Sequence, residues 1–187
     1  MTRIAIFASG RGSNALKILD HLKNQDKIQV SAILSNKQKS GIIESAQKRD
    51  IPSLVFNRSE FYDNTIVLDY LKEHEIDYLI LAGFLWLIPD RLIRFYPDKI
   101  INIHPSLLPK YGGKGMYGIN VHKAVKEHGD RYTGITIHLV NERYDEGRIL
   151  LQSKVKLEKS DSPEEIAGKV LTLEHHFFPR VVAAYCK

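Results

Sequence analysis

Asn102 and His104 stand two residues apart at the end of an apolar run, Lys99-Ile100-Ile101, and Pro105-Ser106-Leu107-Leu108-Pro109 follows them. In an extended segment residues i and i+2 project from one face, so the amide and the imidazole point together into whatever lies beyond the strand end. Pro105 and Pro109 fix the backbone behind them. Neither side chain helps a buried strand pack, because each carries donors and acceptors that cost free energy unless paired. Two readings follow: a satisfied core histidine with a capping Asn, or a pair of groups that donate hydrogen bonds and protons to a ligand.

A second constellation lies near the N-terminus, where Ser9-Gly10-Arg11-Gly12-Ser13-Asn14 follows a β-rich run, Arg3 to Ala8, and precedes a helical repeat of Ala15, Leu16, Ile18, Leu19 and Leu22. Glycines there let the backbone approach an anion, while the first N–H groups and the dipole of the helix face it. Gly10-x-Gly12-x-x-Ala15 formally satisfies a dinucleotide fingerprint, but the next strand ends in Ser35-Asn36-Lys37, without the acid that would hold a ribose. The turn therefore suits a single phosphate better, the bland alternative being a Gly-rich turn capped by Ser13 or Asn14.

Arg143-Tyr144-Asp145-Glu146-Gly147-Arg148 separates two long strand-like runs, and Asp145 or Glu146 can fold back over the crevice as a carboxylate partner for His104. As a bland alternative it is a surface hairpin turn. His138, alternating away from Ile135 and Ile137, either lines the same crevice or packs as a structural histidine. His175 and His176 adjoin Glu174 on the last helix, but adjacent residues cannot share a helix face for chelation, so no metal is expected.

The elements that must position these groups alternate. After the first strand and helix come a strand at Ile28 to Leu34, a helix at Gly41 to Arg49, a short strand at Ser53 to Phe56, a longer helix at Glu60 to His74, and a strand at Tyr78 to Ala82. Such alternation implies βαβ units and an α/β, doubly wound, mostly parallel sheet. Beyond Pro109 the pattern changes to a glycine-rich stretch, a helix from about Asn120 to Glu127, strands at Thr133 to Asn141 and Arg148 to Leu157, and a helix opening in a capping box at Ser162-Pro163-Glu164-Glu165. This is an antiparallel C-terminal extension of one domain, 1–187. Ligands bind such sheets at the carboxyl ends of the strands, near the point where strand order reverses, so the ends at Ser9 to Asn14, Gly83-Phe84 and Asn102 to His104 should converge on one crevice.

Composition narrows the class. At 187 residues, 43% hydrophobic and 26% charged, the chain is long enough for a sizeable core and reads as globular and soluble. The longest apolar run, Tyr78 to Ile88, is too short to span a bilayer, and no signal peptide is visible. The single cysteine, Cys186, excludes disulfides and points to a reducing cytoplasm. A net charge of +5 suits anionic ligands, but Lys and Arg are interleaved with acids, which argues against a nucleic-acid stripe.

Together, Asn102-x-His104-Pro105-Ser106-Leu107-Leu108-Pro109, the later Asp145, and Ser9-Gly10-x-Gly12-Ser13-Asn14 resemble the phosphoribosylglycinamide formyltransferases, a folate-dependent family of purine biosynthesis, over essentially the whole chain. The Asn-His-Pro-Ser-Leu-Leu-Pro block marks the wider group of folate-dependent formyltransferases and hydrolases; the phosphate loop, with no appended domain in the sequence, points to the ribonucleotide enzyme. The resemblance implies a Rossmann-like formyltransferase fold, with 1–100 as phosphate-binding half and 101–187 as catalytic and folate-binding half. It implies Asn102, His104 and Asp145 as catalytic triad; Gly10, Arg11, Gly12, Ser13, Asn14 and Glu174 at the ribonucleotide; and Phe84, Leu85, Trp86, Leu87, Asn102, Tyr144 and Asp145 at the folate. The implied substrates are glycinamide ribonucleotide and 10-formyltetrahydrofolate as co-substrate, with no metal, nucleic acid or membrane, in a cytoplasmic monomer or homodimer.

The sequence departs from the family at three places. Trp86 stands where relatives often carry a basic residue. The stretch Tyr111 to Gly118 is longer than in many relatives and reads as a lid or a longer surface loop. Leu171 occupies a position that is basic in some relatives, leaving Arg11, Lys169 or Arg58 to offset the phosphate charge. Against a formyltransferase stand a nucleotide-binding oxidoreductase, weakened by the missing second-strand acid, a binder of RNA or an anionic surface, supported by net charge alone, and, within the superfamily, a transferase to another acceptor or a hydrolase.

Overall fold

Helices cover both faces of a seven-stranded sheet of order β3-β2-β1-β4-β5-β6-β7, in the computed structural model, which describes residues 1–187. The elements in chain order are β1 (Thr2–Phe7), α1 (Ser13–Leu22), β2 (Ile28–Ser35), α2 (Gly41–Gln47), β3 (Ser53–Val55), α3 (Arg58–Tyr62), α4 (Ile66–Glu73), β4 (Tyr78–Leu81), α5 (Asp90–Phe95), β5 (Ile100–His104), α6 (Ile119–His128), β6 (Tyr132–Leu139), β7 (Ile149–Lys156) and α7 (Pro163–Tyr185). β1 to β5 run parallel; β6 and β7 are antiparallel additions, as the sequence pattern predicts. Strand order reverses between β1, which leads to β2 on one side, and β4 on the other.

Alternation along the strands sorts the core into two layers. Ile4, Ile6, Ile80, Ile101, Ile103, Ile135 and Ile137 pack under α1, α2 and α7, while Ala5, Phe7, Leu79, Leu81 and Ile100 pack against α3, α4 and α5. Asn102 and His104 continue the second set by their spacing of two, so the face that carries Ile100 turns polar at the strand's carboxyl end.

Three features differ from the sequence reading. The predicted helix from Glu60 to His74 is two helices, α3 and α4. Asn57 and Glu60 form a capping box that starts α3, and the Asn64 amide bonds back to the Ser59 carbonyl while its oxygen accepts from Ile66 N–H, which ends one helix and starts the next. The stretch between Ala82 and Lys99, left unassigned by periodicity, holds α5, whose six residues bury only Leu92 and Ile93. α1 also starts differently from either predicted cap: Gly12, in the left-handed region at φ 73°, occupies the N-cap without a side-chain bond.

Candidate active site

The register of β5 against β6 builds the centre. Asn102 pairs with His138 and His104 with Thr136, and residues directly opposite in an antiparallel pair share a face. Asn102 Nδ2 lies 3.0 Å from His138 Nε2, and His138 Nδ1 lies 2.9 Å from the Leu139 carbonyl. A carbonyl only accepts, so Nδ1 carries a proton, and in the neutral ring Nε2 accepts one N–H of the Asn102 amide, whereas in the charged ring Nε2–H faces Asp145. The second N–H of that amide is left for another acceptor. His138, which the sequence left open between crevice and core, is buried and fixes the amide's orientation.

Asp145 arrives from the β6–β7 turn. It takes φ 57°, a left-handed conformation that Asp tolerates, and Gly147 follows where a Cβ would sit 1.7 Å from the Leu139 carbonyl oxygen. The segment is thus both a hairpin turn and a carboxylate carrier. Asp145 Oδ2 lies 3.5 Å from His104 Nδ1 and accepts from Gly113 N–H at 2.8 Å, and Oδ1 lies 3.7 Å from His138 Nε2. Burial works against the Asp145 charge, but His138, His104 and the Gly113 amide outweigh it and hold the carboxyl below its ordinary range. Burial is the largest influence on His104 and lowers its pKa, against the upward pull of Asp145 and of the Tyr111 carbonyl. The loop after His104 is latched to β6: Thr136 Oγ1 donates to the Ser106 carbonyl at 2.7 Å and accepts from Leu108 N–H at 2.9 Å. Ser106 Oγ donates to the Lys110 carbonyl at 2.6 Å, a structural use of that hydroxyl.

These groups line a cavity of about 640 Å³, inside the range of small-molecule sites. Phe84, Leu85, Trp86, Leu87, Ile88 and Val140 give it one apolar wall, with Tyr144 and Asp145 beside them. Trp86 packs among Phe56, Phe61, Tyr62 and Phe84, with the Arg58 guanidinium 5.8 Å from its ring and 5.1 Å from that of Tyr62. Residues Gly113 to Ile119 form another wall. Also on its lining, Asn14 Nδ2 donates to Glu174 Oε2 at 2.6 Å, both residues buried.

The turn after β1 meets this cavity through Asn14, while Gly10, Arg11 and Ser13 are exposed beside it. The convergence of strand ends is real: Ser9 N–H donates to the Gly83 carbonyl at 3.1 Å, and Leu85 N–H to Ser9 Oγ at 3.2 Å. Two of the cations proposed to offset a phosphate are engaged elsewhere, Lys169 on Asp161 and Arg58 over Trp86 and Tyr62. Arg11 remains at the turn. Sequence reasoning missed His122, a buried α6 residue on the cavity wall whose Nδ1 has no partner, and Tyr111. His122 carries a sequence signal, an unpaired polar residue on the buried face of α6; Tyr111 carries none, because its contribution is a backbone carbonyl.

A model of the formyl transferase family matches residues 2–182. The chain belongs to the formyl transferase family. It is 46% identical to the chloroplastic phosphoribosylglycinamide formyltransferase of Arabidopsis thaliana over 99% of this chain, and spans 65% of that relative's length. It is 35% identical to the phosphoribosylglycinamide formyltransferase of Bacillus subtilis, covering 97% of this chain and 93% of the relative. Glycinamide ribonucleotide transformylase 1 of Geobacillus kaustophilus superposes with a TM-score of 0.90 at 32% identity, over 100% of both chains. In this member of the family the mixed sheet and its antiparallel end are those of its relatives.

Glu174 gives a test that needs no ligand. Burial raises its pKa, the bond from Asn14 only partly offsetting it, so the folded protein holds the proton more tightly than the unfolded chain. That contribution to stability is complete below the unfolded carboxyl range and is lost as pH rises through the folded value. Glu174→Gln, which keeps an acceptor for Asn14, is expected to raise the Tm at pH 8 by about 2–4 °C, for about 1 kcal/mol recovered, with a smaller difference near pH 4. Thermal unfolding at the two pH values checks this; a lower Tm at pH 8 would refute it.

Proposed function

We propose that the chain transfers the formyl group of 10-formyltetrahydrofolate to the amine of glycinamide ribonucleotide in purine biosynthesis, with no metal. The observation that carries this reading is Asp145 facing His104 beside Asn102, in one cavity with an apolar aromatic wall and the polar pair Asn14 and Glu174. The flat ring systems of the donor suit the aromatic wall, and a hydroxyl-rich acceptor suits the polar pair. Phe84 to Leu87, Tyr144, Asn102 and Asp145 bind the folate; the turn Gly10 to Asn14 and Glu174 bind the ribonucleotide. Residues 1–100 form the phosphate-binding half of one domain and 101–187 the catalytic and folate-binding half, with Phe84 to Leu87 reaching the folate from the first half and Glu174 the ribonucleotide from the second.

The chemistry needs no covalent intermediate. An α-amino group has a pKa of about 7.7–8.0, so a useful fraction of the glycinamide amine is neutral near pH 7. Its nitrogen adds to the formyl carbon, the carbonyl becomes an oxyanion, and the C–N10 bond then breaks as the amine's proton passes to N10. Asn102 offers its free amide N–H to the oxyanion, and His104 assists from the same face. Burial makes imidazolium scarce in the free protein, but the developing oxyanion joins Asp145 in favouring the charged ring at the moment it is needed. Asp145 also holds the water that carries the proton. Ser106 takes no part. We assign the protein to the cytoplasm, as a monomer or homodimer, the location resting on its one buried cysteine.

Offering the donor with glycinamide ribonucleotide, with methionyl-tRNA and with water alone, across a salt series, tests the acceptor. Transfer to the ribonucleotide should dominate and depend weakly on salt, because one phosphate is contacted; a tRNA acceptor would need several phosphate contacts and lose rate steeply. Comparable rates on tRNA, or hydrolysis faster than transfer, would move the chain to another branch of the family.

A further inference from the structure

Tyr111 is one of five non-glycine residues with positive φ, at 57°, and the only one whose carbonyl meets the candidate centre. That oxygen lies 2.7 Å from His104 Nε2. Both ends of the residue are tied down. The preceding carbonyl, of Lys110, accepts from Ser106 Oγ at 2.6 Å, and the Tyr111 hydroxyl donates to Asp130 Oδ2 at 2.8 Å, with the ring edge-on to His128. A left-handed non-glycine residue persists only where its surroundings over-determine it, and these contacts do so.

We propose that Tyr111 is a positioning residue that decides which His104 nitrogen keeps its proton, its hydroxyl anchored on Asp130 holding the backbone turn that aims a carbonyl at Nε2. The inference rests on the reading of His104 given above. Both close polar partners of the ring, the Tyr111 carbonyl and the Asp145 carboxylate, are acceptors. The carbonyl commits Nε2–H, so Nδ1, beside Asp145, is the nitrogen left to gain and lose a proton. Without the carbonyl a buried N–H would lose its partner, and the ring would be free to adopt the other tautomer. The charged and titratable groups facing His104 are Asp145 from the β6–β7 turn, His138 from β6 and His122 from α6. Substitution at Tyr111 removes none of the three, and the loop's own tie to Asp145 is the Gly113 N–H two residues on.

The test compares Tyr111→Ala with Tyr111→Gly, because glycine adopts positive φ freely and alanine does not. Histidine side-chain ¹H–¹⁵N correlation spectra of the full chain, titrated over about pH 5–8, report the His104 tautomer and pKa. Tyr111→Ala should lose the Nε2–H signature, lower the His104 pKa further, and reduce kcat by about tenfold with both KM values little changed, a smaller loss than removal of the imidazole. Tyr111→Gly should recover most of each. A role limited to packing predicts that glycine is as damaging as alanine or worse, and that result overturns the proposal, as does an unchanged Nε2–H signal in Tyr111→Ala. Should the alanine variant fail to fold, Tyr111→Phe, which removes only the hydroxyl, carries the same test with a shift in the same direction expected and no shift overturning it. Absence of formyl transfer in the unaltered protein would defeat the functional reading, while the spectra would still decide the role of Tyr111.

Discussion

Replacing His104 with Ala is expected to lower kcat by about 10² or more, with the ribonucleotide KM changed less than about threefold, the usual penalty for losing an oxyanion or acid–base group. The split follows from the partners each group has. His104 is bonded to the Tyr111 carbonyl and faces Asp145, whereas the groups assigned to the ribonucleotide, Asn14 and Glu174, bond to each other on the same cavity's lining. Asp145→Asn should cost a similar factor for a different reason. The amide keeps the volume and still accepts from Gly113 N–H, so the turn stays closed, but the negative charge that opposes the burial of a protonated His104 is gone. The loss in Asp145→Asn should therefore deepen as pH rises, since fewer molecules hold an imidazolium without that charge. Steady-state kinetics at about pH 6 and pH 8, with thermal unfolding as a control for folding, decide it. Near-normal turnover in His104→Ala would remove the imidazole from the mechanism.

The alternation of strands and helices was legible because buried parallel strands read as apolar runs and their covering helices keep a 3.6-residue period. The same periodicity hid the break between α3 and α4. Phe61, Val67, Leu68 and Leu71 all remain buried at near-helical spacing across it, and what ends the first helix is one Asn64 side chain. α5 escaped because six residues give too few repeats to show a period.

In the site, Asn102 and His104 were legible because spacing within one strand fixes a shared face. His138 was not settled, since its role depends on the register of β6 against β5, a pairing that sequence spacing does not state. Asn14 misled a local capping rule because its partner, Glu174, is 160 residues away. The Tyr111 carbonyl left no mark at all, as any residue type supplies one.

Gly12 and Gly10 look equivalent in the sequence, yet their substitution is expected to do different things. Gly12 lies at φ 73°, and an added Cβ would sit 2.7 Å from Cβ of the fully buried Ile42. The stiff β-carbon of a core residue cannot swing aside as the end of a flexible chain would. Gly12→Val thus combines a left-handed penalty of about 1–2 kcal/mol with overpacking of about 1–3 kcal/mol, and should lower the Tm by about 5–15 °C. Any rise in KM measured on it reports disturbed packing of the β1–α1 turn against Ile42 of α2 as well as a blocked anion site. At Gly10 a Cβ meets nothing within 4 Å and the residue is exposed at the turn. Gly10→Val should therefore keep the Tm within about 2 °C while obstructing the approach of a phosphate to the backbone, raising the ribonucleotide KM by about tenfold and leaving folate-analogue binding intact. Titrating a folate analogue and measuring the ribonucleotide KM on this one variant separates the subsites. An unchanged KM would place the phosphate away from the β1–α1 turn, and parallel loss of both ligands would show that the turn supports the whole cavity and not one end of it.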